Sequence, residues 1–340
     1  MIKKKRITIK DVARDAGVGL GTASRAINGS PDVSPETRMK VLNSVKKLGY
    51  VPDRLAQGMR SRRYRNIALI VGDISNIVFA QIAKEIQIYL EGQGYTLSLC
   101  NTGDNNVAEK IEAFLQGRKL DGIILSIPDE SDVRVHEVLR QANIPAVTID
   151  REIPGIPMGI VTDYYSSIKQ ATKYLLSLGH TGIVIATGSR FIRPTRVCID
   201  GYRDAFLEAG KEPREDLICS GDLTAEYGSR LMERLLPQIR AREVTAVISL
   251  NNGIFTGIME VIRRYGLDYP RDVSLISVED TDMTRILKPA ITVVRRSFQD
   301  MAAKSAQNLL HFIENQGEVE IVPMYIPTEF IIRESCNPVY

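Results

Sequence analysis

Apolar positions in the first fifty residues recur at helical spacing. Ile9, Val12, Ala13 and Ala16 fall at i, i+3, i+4 and i+7, the stripe of an amphipathic helix. Thr8 stands where an N-cap hydroxyl is favoured, and Gly17 where a helix stops in a tight turn. A second helix has Ala23, Ala26 and Ile27 on its inner face and Leu20, Gly21, Thr22, Ser24, Arg25 and Asn28 on its outer face. Ser34-Pro35-Glu36 reads as the N-cap, first-turn proline and first-turn acid of a third helix. Val41, Leu42, Val45 and Leu48 form its apolar stripe, and Gly49-Tyr50-Val51-Pro52 ends it. Three short helices closing on one small core make a helix-turn-helix unit.

From Ile67 onward the period changes. β-rich apolar runs at Ile67–Val71, Tyr95–Leu99, Gly122–Ile127, Ala146–Ile149, Gly182–Ala186, Ala246–Leu250 and Ser274–Val278 alternate with amphipathic stretches such as Ile77–Leu90, Ser166–Leu178 and Ile254–Tyr265. Continuous apolar strands separated by helices indicate parallel sheets covered on both faces. The length of this region is large for one such sheet, so two lobes are expected.

Charge sharpens this division. Residues 1–65 hold 16 lysines and arginines against 5 acidic residues, a net charge of +11 that the whole-chain value of +3 conceals. A localised basic head suits phosphate contact with counterion release. Short polar side chains and one arginine on the outer face of the second helix suit close readout of base edges in a major groove. Double-stranded DNA is the partner this indicates.

Other classes find little support. There is no N-terminal signal-like run and no stretch approaching the ~18 apolar residues of a membrane helix, so a cytoplasmic chain is expected. Cys100, Cys198, Cys219 and Cys336 are widely spaced and fit no metal pattern, and would stay reduced there. His136, His180 and His311 form no cluster, and His180 after Gly179 reads as a turn or cap residue. No nucleophile is paired with a base and no phosphate loop stands out, so neither an enzyme nor a cofactor is expected.

The motifs Ile7-Thr8-Ile9-Lys10-Asp11-Val12-Ala13, Ala16-Gly17-Val18, Ser24-Arg25, Val33-Ser34-Pro35-Glu36-Thr37-Arg38 and Leu48-Gly49-Tyr50-Val51-Pro52 resemble the head of the lactose/galactose repressor family of bacterial transcription regulators. Asp73-Ile74-Ser75-Asn76, Leu178-Gly179-His180, Gly201-Tyr202-Arg203, Pro270-Arg271-Asp272-Val273-Ser274, Pro289-Ala290-Ile291-Thr292 and Ile332-Arg333-Glu334-Ser335 extend the resemblance over the whole chain in one order. It implies a small all-α helix-turn-helix head plus an α/β, periplasmic-binding-protein-like body of two parallel-sheet lobes. The implied divisions are a head at 1–52, a hinge at 53–65 and a body at 66–340. Lobe 1 would hold about 66–161 and 292–322, and lobe 2 about 162–291 and 323–340. The chain would cross between lobes near Val161–Asp163, Ala290–Thr292 and Val322–Ile326.

The resemblance also implies roles. DNA contacts would come from Thr8, Leu20, Gly21, Thr22, Ser24, Arg25, Asn28, Ser34 and Tyr50. Ala56, Met59 and Arg60 would join them in a hinge helix that orders in the minor groove. Met59 replaces the family's usual wedge leucine, Gly58 beside it weakens the helix, and Asp53 replaces a common Asn. Gly19 replaces a Ser at the start of the recognition helix, and Gly21 has no side chain with which to read a base. The partner DNA would be a near-palindromic operator bound by a homodimer, since no terminal heptad segment of the tetramer-forming kind is present.

Ligands of open α/β sheets sit at the carboxyl ends of strands, here the cleft between lobes. Asp73, Ser126, Asp150, Asn251 and Glu279 lie at such ends, Phe79 and Phe298 could stack on a sugar face, and Arg196 matches the family's effector-contacting arginine. Carboxylates, amides and arginine around an aromatic plate suit a polyhydroxyl ligand, a sugar or sugar phosphate. Arg190, Arg193 and Arg196 crowd one loop and could accept an anionic group or face solvent. The expected function is a DNA-binding regulator, a repressor of carbohydrate-use genes. The alternatives are a global regulator controlled by a phosphoprotein partner and a sugar-binding protein.

Overall fold

Thr8 opens the first helix through a reciprocal contact with Asp11. In the computed structural model, which describes residues 7–50, 63–315 and 317–339, the Thr8 backbone N–H donates to Asp11 Oδ2 at 2.9 Å. Helix α1 spans Ile9–Asp15, α2 Leu20–Ile27 and α3 Pro35–Leu48. Gly19 caps α2 without a side-chain bond, whereas Ser34 Oγ accepts from Thr37 N at the start of α3. Val12, Ala13, Ala23, Ala26, Val33 and Val41 are the head's core, with Tyr50 packed against it. One expectation fails on α3: Leu42 is 42% exposed, and Ser44 is buried in its place. The head, within Met1–Tyr64, and the body, Arg65–Tyr340, are separate compact units. The expected hinge residues Ala56, Met59 and Arg60 lie outside the described residues.

The body contains two six-stranded sheets. The first is built from β1 (Asn66–Val71), β2 (Thr96–Asn101), β3 (Gly122–Ser126), β4 (Ala146–Ile149), β5 (Met158–Thr162) and β11 (Met324–Ile326). Its order is β11-β5-β4-β3-β1-β2, and every pairing is parallel. Alternate residues serve opposite faces. Ile67, Leu69 and Val71 of β1 pack on α4 (Ile77–Gly92) and α12 (Phe298–Glu314). Ala68 and Ile70 pack on α5 (Val107–Gln116) and α6 (Val133–Ala142).

The second sheet has β6 (Ile183–Thr187), β7 (Ile218–Ser220), β8 (Ala246–Ser249), β9 (Ser274–Val278), β10 (Thr292–Arg296) and β12 (Thr328–Ile331). Its order is β12-β10-β9-β8-β6-β7, with β12 antiparallel to β10. One face is covered by α7 (Tyr164–Ser177) and α8 (Arg193–Glu208). The other carries α9 (Ala225–Arg240) and α10 (Asn252–Tyr265). A short helix α11 spans Asp282–Ile286.

The chain passes between sheets three times. The first crossing runs between β5 and α7, through Asp163. The second is displaced. β10 hydrogen-bonds to β9, so residues 292–296 belong to lobe 2, and the crossing falls at Arg296–Phe298 rather than at Ala290–Thr292. The third falls between β11 and β12 at Ile326–Thr328, because β11 pairs with β5. Residues 323–326 therefore belong to lobe 1, not lobe 2. The apolar pair Val293-Val294 continues the run from Ile291, and turn-like Pro289-Ala290 precedes it, so a boundary there marked a strand start instead of a lobe change. Asp163 N donates to Ile326 O at 3.1 Å, tying the first and third crossings together.

Two features of lobe 2 yield tests. Helices α9 and α10 meet at glycines. A Cβ on Gly257 would stand 1.9 Å from Ala225 O, and one on Gly228 would stand 2.2 Å from Ile254 O. Gly257→Ala is expected to force these backbones apart and destabilise the body by about 1–3 kcal/mol, read as a lower melting temperature by circular dichroism. His180 is buried and does more than cap a turn: Nε2 lies 3.0 Å from Asn337 O and Nδ1 2.8 Å from Thr245 Oγ1. Because a carbonyl only accepts, Nε2 carries the proton and Nδ1 accepts from the threonine. Burial holds the His180 pKa below its usual value. The unfolded chain takes up this proton near pH ~6.5, before the native state does. Stability is therefore present above that pH and lost as pH falls below it. Urea midpoints between pH 7 and 5 should decline less in His180→Gln than in the parent.

Candidate effector cleft and nucleic-acid interface

At the carboxyl end of β4, Asp150 adopts φ 54°, and at the end of β9, Glu279 adopts φ 99°. Left-handed backbone at non-glycine residues costs of order 1–3 kcal/mol and persists where surrounding structure imposes it. Both side chains are buried on the wall of one cavity between the lobes, of about 60 Å³, lined also by Phe79, Ser126, Tyr164, Asn251 and Arg296. Asp150 accepts from Thr162 N at 2.6 Å and from Thr162 Oγ1 at 2.8 Å. Asn251 spends its amide on architecture. Its Oδ1 accepts from Ile254 N at the start of α10, and its Nδ2 donates to Leu223 O.

Arg296, the last residue of β10, occupies the centre. Its Nη2 donates to Glu279 Oε1 at 2.7 Å and its Nη1 to Tyr164 Oη at 2.5 Å. Asp150 Oδ2 is 3.6 Å from Nη1. The guanidinium carbon lies 5.3 Å from the Tyr164 ring centroid and 5.5 Å from that of Phe298, within cation–π range. Burial alone would pull the Arg296 pKa down, but Tyr164, Glu279 and Asp150 reverse this and hold it above the ordinary arginine value. Burial pushes the Glu279 carboxyl up, with Arg296 and the Asn252 N–H opposing. Burial likewise pushes up the Tyr164 hydroxyl, which stays a neutral donor and acceptor. Arg151, also buried, is held by the Ile127 and Asp150 carbonyls.

The expected site residues divide accordingly. Phe79, Ser126, Asp150, Asn251 and Glu279 come together on the cavity wall. Asp73 does not: it is exposed and accepts from Ser75 N and Oγ in a local turn, while Asn76 reaches the cavity. Phe298 stands behind Arg296 and packs into the lobe 1 core. Arg196 does not line the cavity. It lies in the first turn of α8 with Arg193, not in a loop, and bridges to Glu130 at 2.6 Å and Glu152 at 2.7 Å. Arg296 and Tyr164 were missed. The signal was present, since Arg296 closes an apolar strand as Asp150 does.

On the head, Leu20, Gly21, Arg25 and Asn28 are exposed, with Thr22 and Ser24 half-buried. A Cβ on Gly21 would stand 3.9 Å from Arg25 Nη1, an ordinary contact distance, so the guanidinium lies beside Gly21 on the outer face of α2. Thr8 and Ser34 both cap helices, and Tyr50 leans on the head's core.

Residues 8–53 match the model of bacterial regulatory proteins of the lacI family, and residues 172–336 match that of a periplasmic binding protein-like domain. The HTH-type transcriptional regulator CelR of Thermobifida fusca is 31% identical, covering 98% of this chain and 100% of its own. The chain belongs to the lacI family. The HTH-type transcriptional regulator GalR of Escherichia coli is 30% identical over 94% of this chain and 93% of its own. In solved structures, a CelR–cellobiose complex aligns with a TM-score of 0.71 at 31% identity, over 97% of this chain and 100% of that one. The lac repressor dimer bound to operator and the anti-inducer ONPF has the same fold, with a TM-score of 0.82 at 22% identity over 98% and 100% of the two chains. This lacI-family member is a helix-turn-helix transcription regulator with a two-lobe body like that of a periplasmic binding protein. Among its described residues no helix is long and apolar enough to cross a membrane, and no group of His, Cys, Asp and Glu could hold a metal ion.

Arg296→Met strands Glu279 as a buried carboxylate without its cation, which costs about 3–5 kcal/mol. Chemical denaturation should show this loss. Adding Glu279→Gln to the same chain should recover part of it, as a double-mutant cycle for a coupled pair requires.

Proposed function

We propose that this chain represses carbohydrate-use genes and is controlled by a sugar-like effector bound between its lobes. The observation that carries this is the cavity wall: Asp150, Glu279, Arg296, Ser126 and Tyr164 offer hydroxyl-recognising acceptors and donors beside the Phe79 ring. The cellobiose in the CelR complex and the operator on the lac repressor dimer support the same assignment for each half. The chain works as a homodimer in the cytoplasm, on a near-palindromic operator, as a binding protein and not an enzyme. Leu20, Thr22, Ser24 and Arg25 face the major groove, with Thr8, Gly21, Asn28, Ser34 and Tyr50 on the phosphates. Ala56, Met59 and Arg60 act in the hinge. Asp150, Glu279, Asn251, Ser126 and Phe79 hold the effector together with Arg296. Effector and operator are coupled because the ligand has unequal affinity for the two lobe arrangements.

The test needs an operator selected in vitro from random duplexes and a thermal-shift screen of sugars for a stabilising ligand. The selected sugar should change operator affinity of the parent in anisotropy titrations, and an unresponsive complex would refute the effector role. Arg25→Ala should weaken operator binding about 10- to 100-fold, the discrimination expected of one bidentate arginine–guanine contact. Its sugar-induced melting shift should equal the parent's.

A further inference from the structure

Beside the effector cleft, four charged side chains meet across the two lobes. Arg193 and Arg196 stand on the first turn of α8 in lobe 2. Glu130 follows β3 and Glu152 follows β4, both in lobe 1. Arg196 Nη2 lies 2.6 Å from Glu130 Oε1 and 2.7 Å from Glu152 Oε2, and Arg193 Nε lies 3.7 Å from Glu152 Oε1. The Glu152 backbone N–H donates to Glu130 Oε2 at 2.9 Å, fixing the Glu130 carboxylate beside the segment that carries Glu152. Ile192 and Pro194, flanking Arg193, line the cavity itself.

Two arginines at the positive end of a 16-residue helix would ordinarily make an anion site. Here the protein fills that site with its own carboxylates. We infer that Glu130 and Glu152 set the charge specificity of the cleft: by claiming Arg196 and Arg193 they exclude phosphate and carboxylate groups, so the effector is uncharged. This rests on the cleft being the effector site.

The energetics favour exclusion over exchange. Glu130 is only 4% exposed. A phosphate taking Arg196 would leave that carboxylate buried without a countercharge, a state costly enough to break most ion exchanges. A hydroxyl evicts nothing. The deeper arginines offer no alternative: Arg296 is claimed by Glu279 and Asp150, and Arg151 by backbone carbonyls.

The probe is inorganic phosphate, about 10 mM, added to the full chain at constant ionic strength with neither DNA nor sugar, and read by melting temperature. The readout is the difference between backgrounds with and without Arg196, which cancels phosphate binding elsewhere on the basic chain. The parent and Arg196→Ala should respond alike. Glu130→Gln with Glu152→Gln should gain a further rise of about 2 °C, and adding Arg196→Ala should abolish it. Glu152→Gln alone, at a half-exposed position, tests the same effect should the double variant fold poorly. A parent that responds more than Arg196→Ala would overturn the inference, and so would glutamine variants that gain nothing. Neither result depends on a sugar or an operator, so the effector assignment stands or falls separately.

Discussion

Arg296 is a charge removed from water at the junction of two lobes, and the cleft is arranged to keep it charged. Glu279 comes from the same lobe and Asp150 from the other, so the guanidinium draws both strand ends toward one point. A single buried carboxylate would not suffice, because desolvation of each ion has to be offset by excellent geometry and further hydrogen bonds. Tyr164 and the Thr162 backbone and hydroxyl provide those bonds. The strained backbones of Asp150 and Glu279 follow from the same requirement: each carboxylate has to turn inward from a strand that has just ended.

This centre also limits what can enter. Its arginine is already paired with carboxylates, so an entering molecule would share existing hydrogen bonds rather than supply a missing anion. The α8 arginines repeat that logic with Glu130 and Glu152. In both clusters every arginine is held by carboxylates, and each cluster includes at least one pair that joins the two lobes: Arg296 with Asp150, and Arg196 with Glu130 and Glu152.

Much of this was legible in the chain. Helical periodicity placed all three head helices, and apolar runs between helical stretches indicated two parallel-sheet lobes. Asp150, Ser126, Asn251 and Glu279 were found because strand ends in open sheets face a common crevice. What escaped was pairing. Asp73 and Arg196 have the residue types of ligand contacts, yet each is satisfied locally or across the lobes, by Ser75 or by Glu130 and Glu152. Arg296 was hidden because β10 follows a proline and its start was read as a crossing. On α3, helical spacing alone gave Leu42 the wrong face, since the small head core closes on Val41 and Val45.

The placement of Arg296 and Tyr164 has a mechanical side. Each sits within two residues of a crossing segment, Arg296 before the second and Tyr164 after the first, and they hold one another at 2.5 Å. They are therefore at the fulcrum between lobes, not at the ends of the arms. Any rotation of one lobe about the other would have its axis near these crossings, and displacement would grow with distance from that axis. Small movements of packed, bistable joints are amplified in this way into large ones elsewhere. The cleft of this protein thus has its most deeply buried charge at the joint between its lobes.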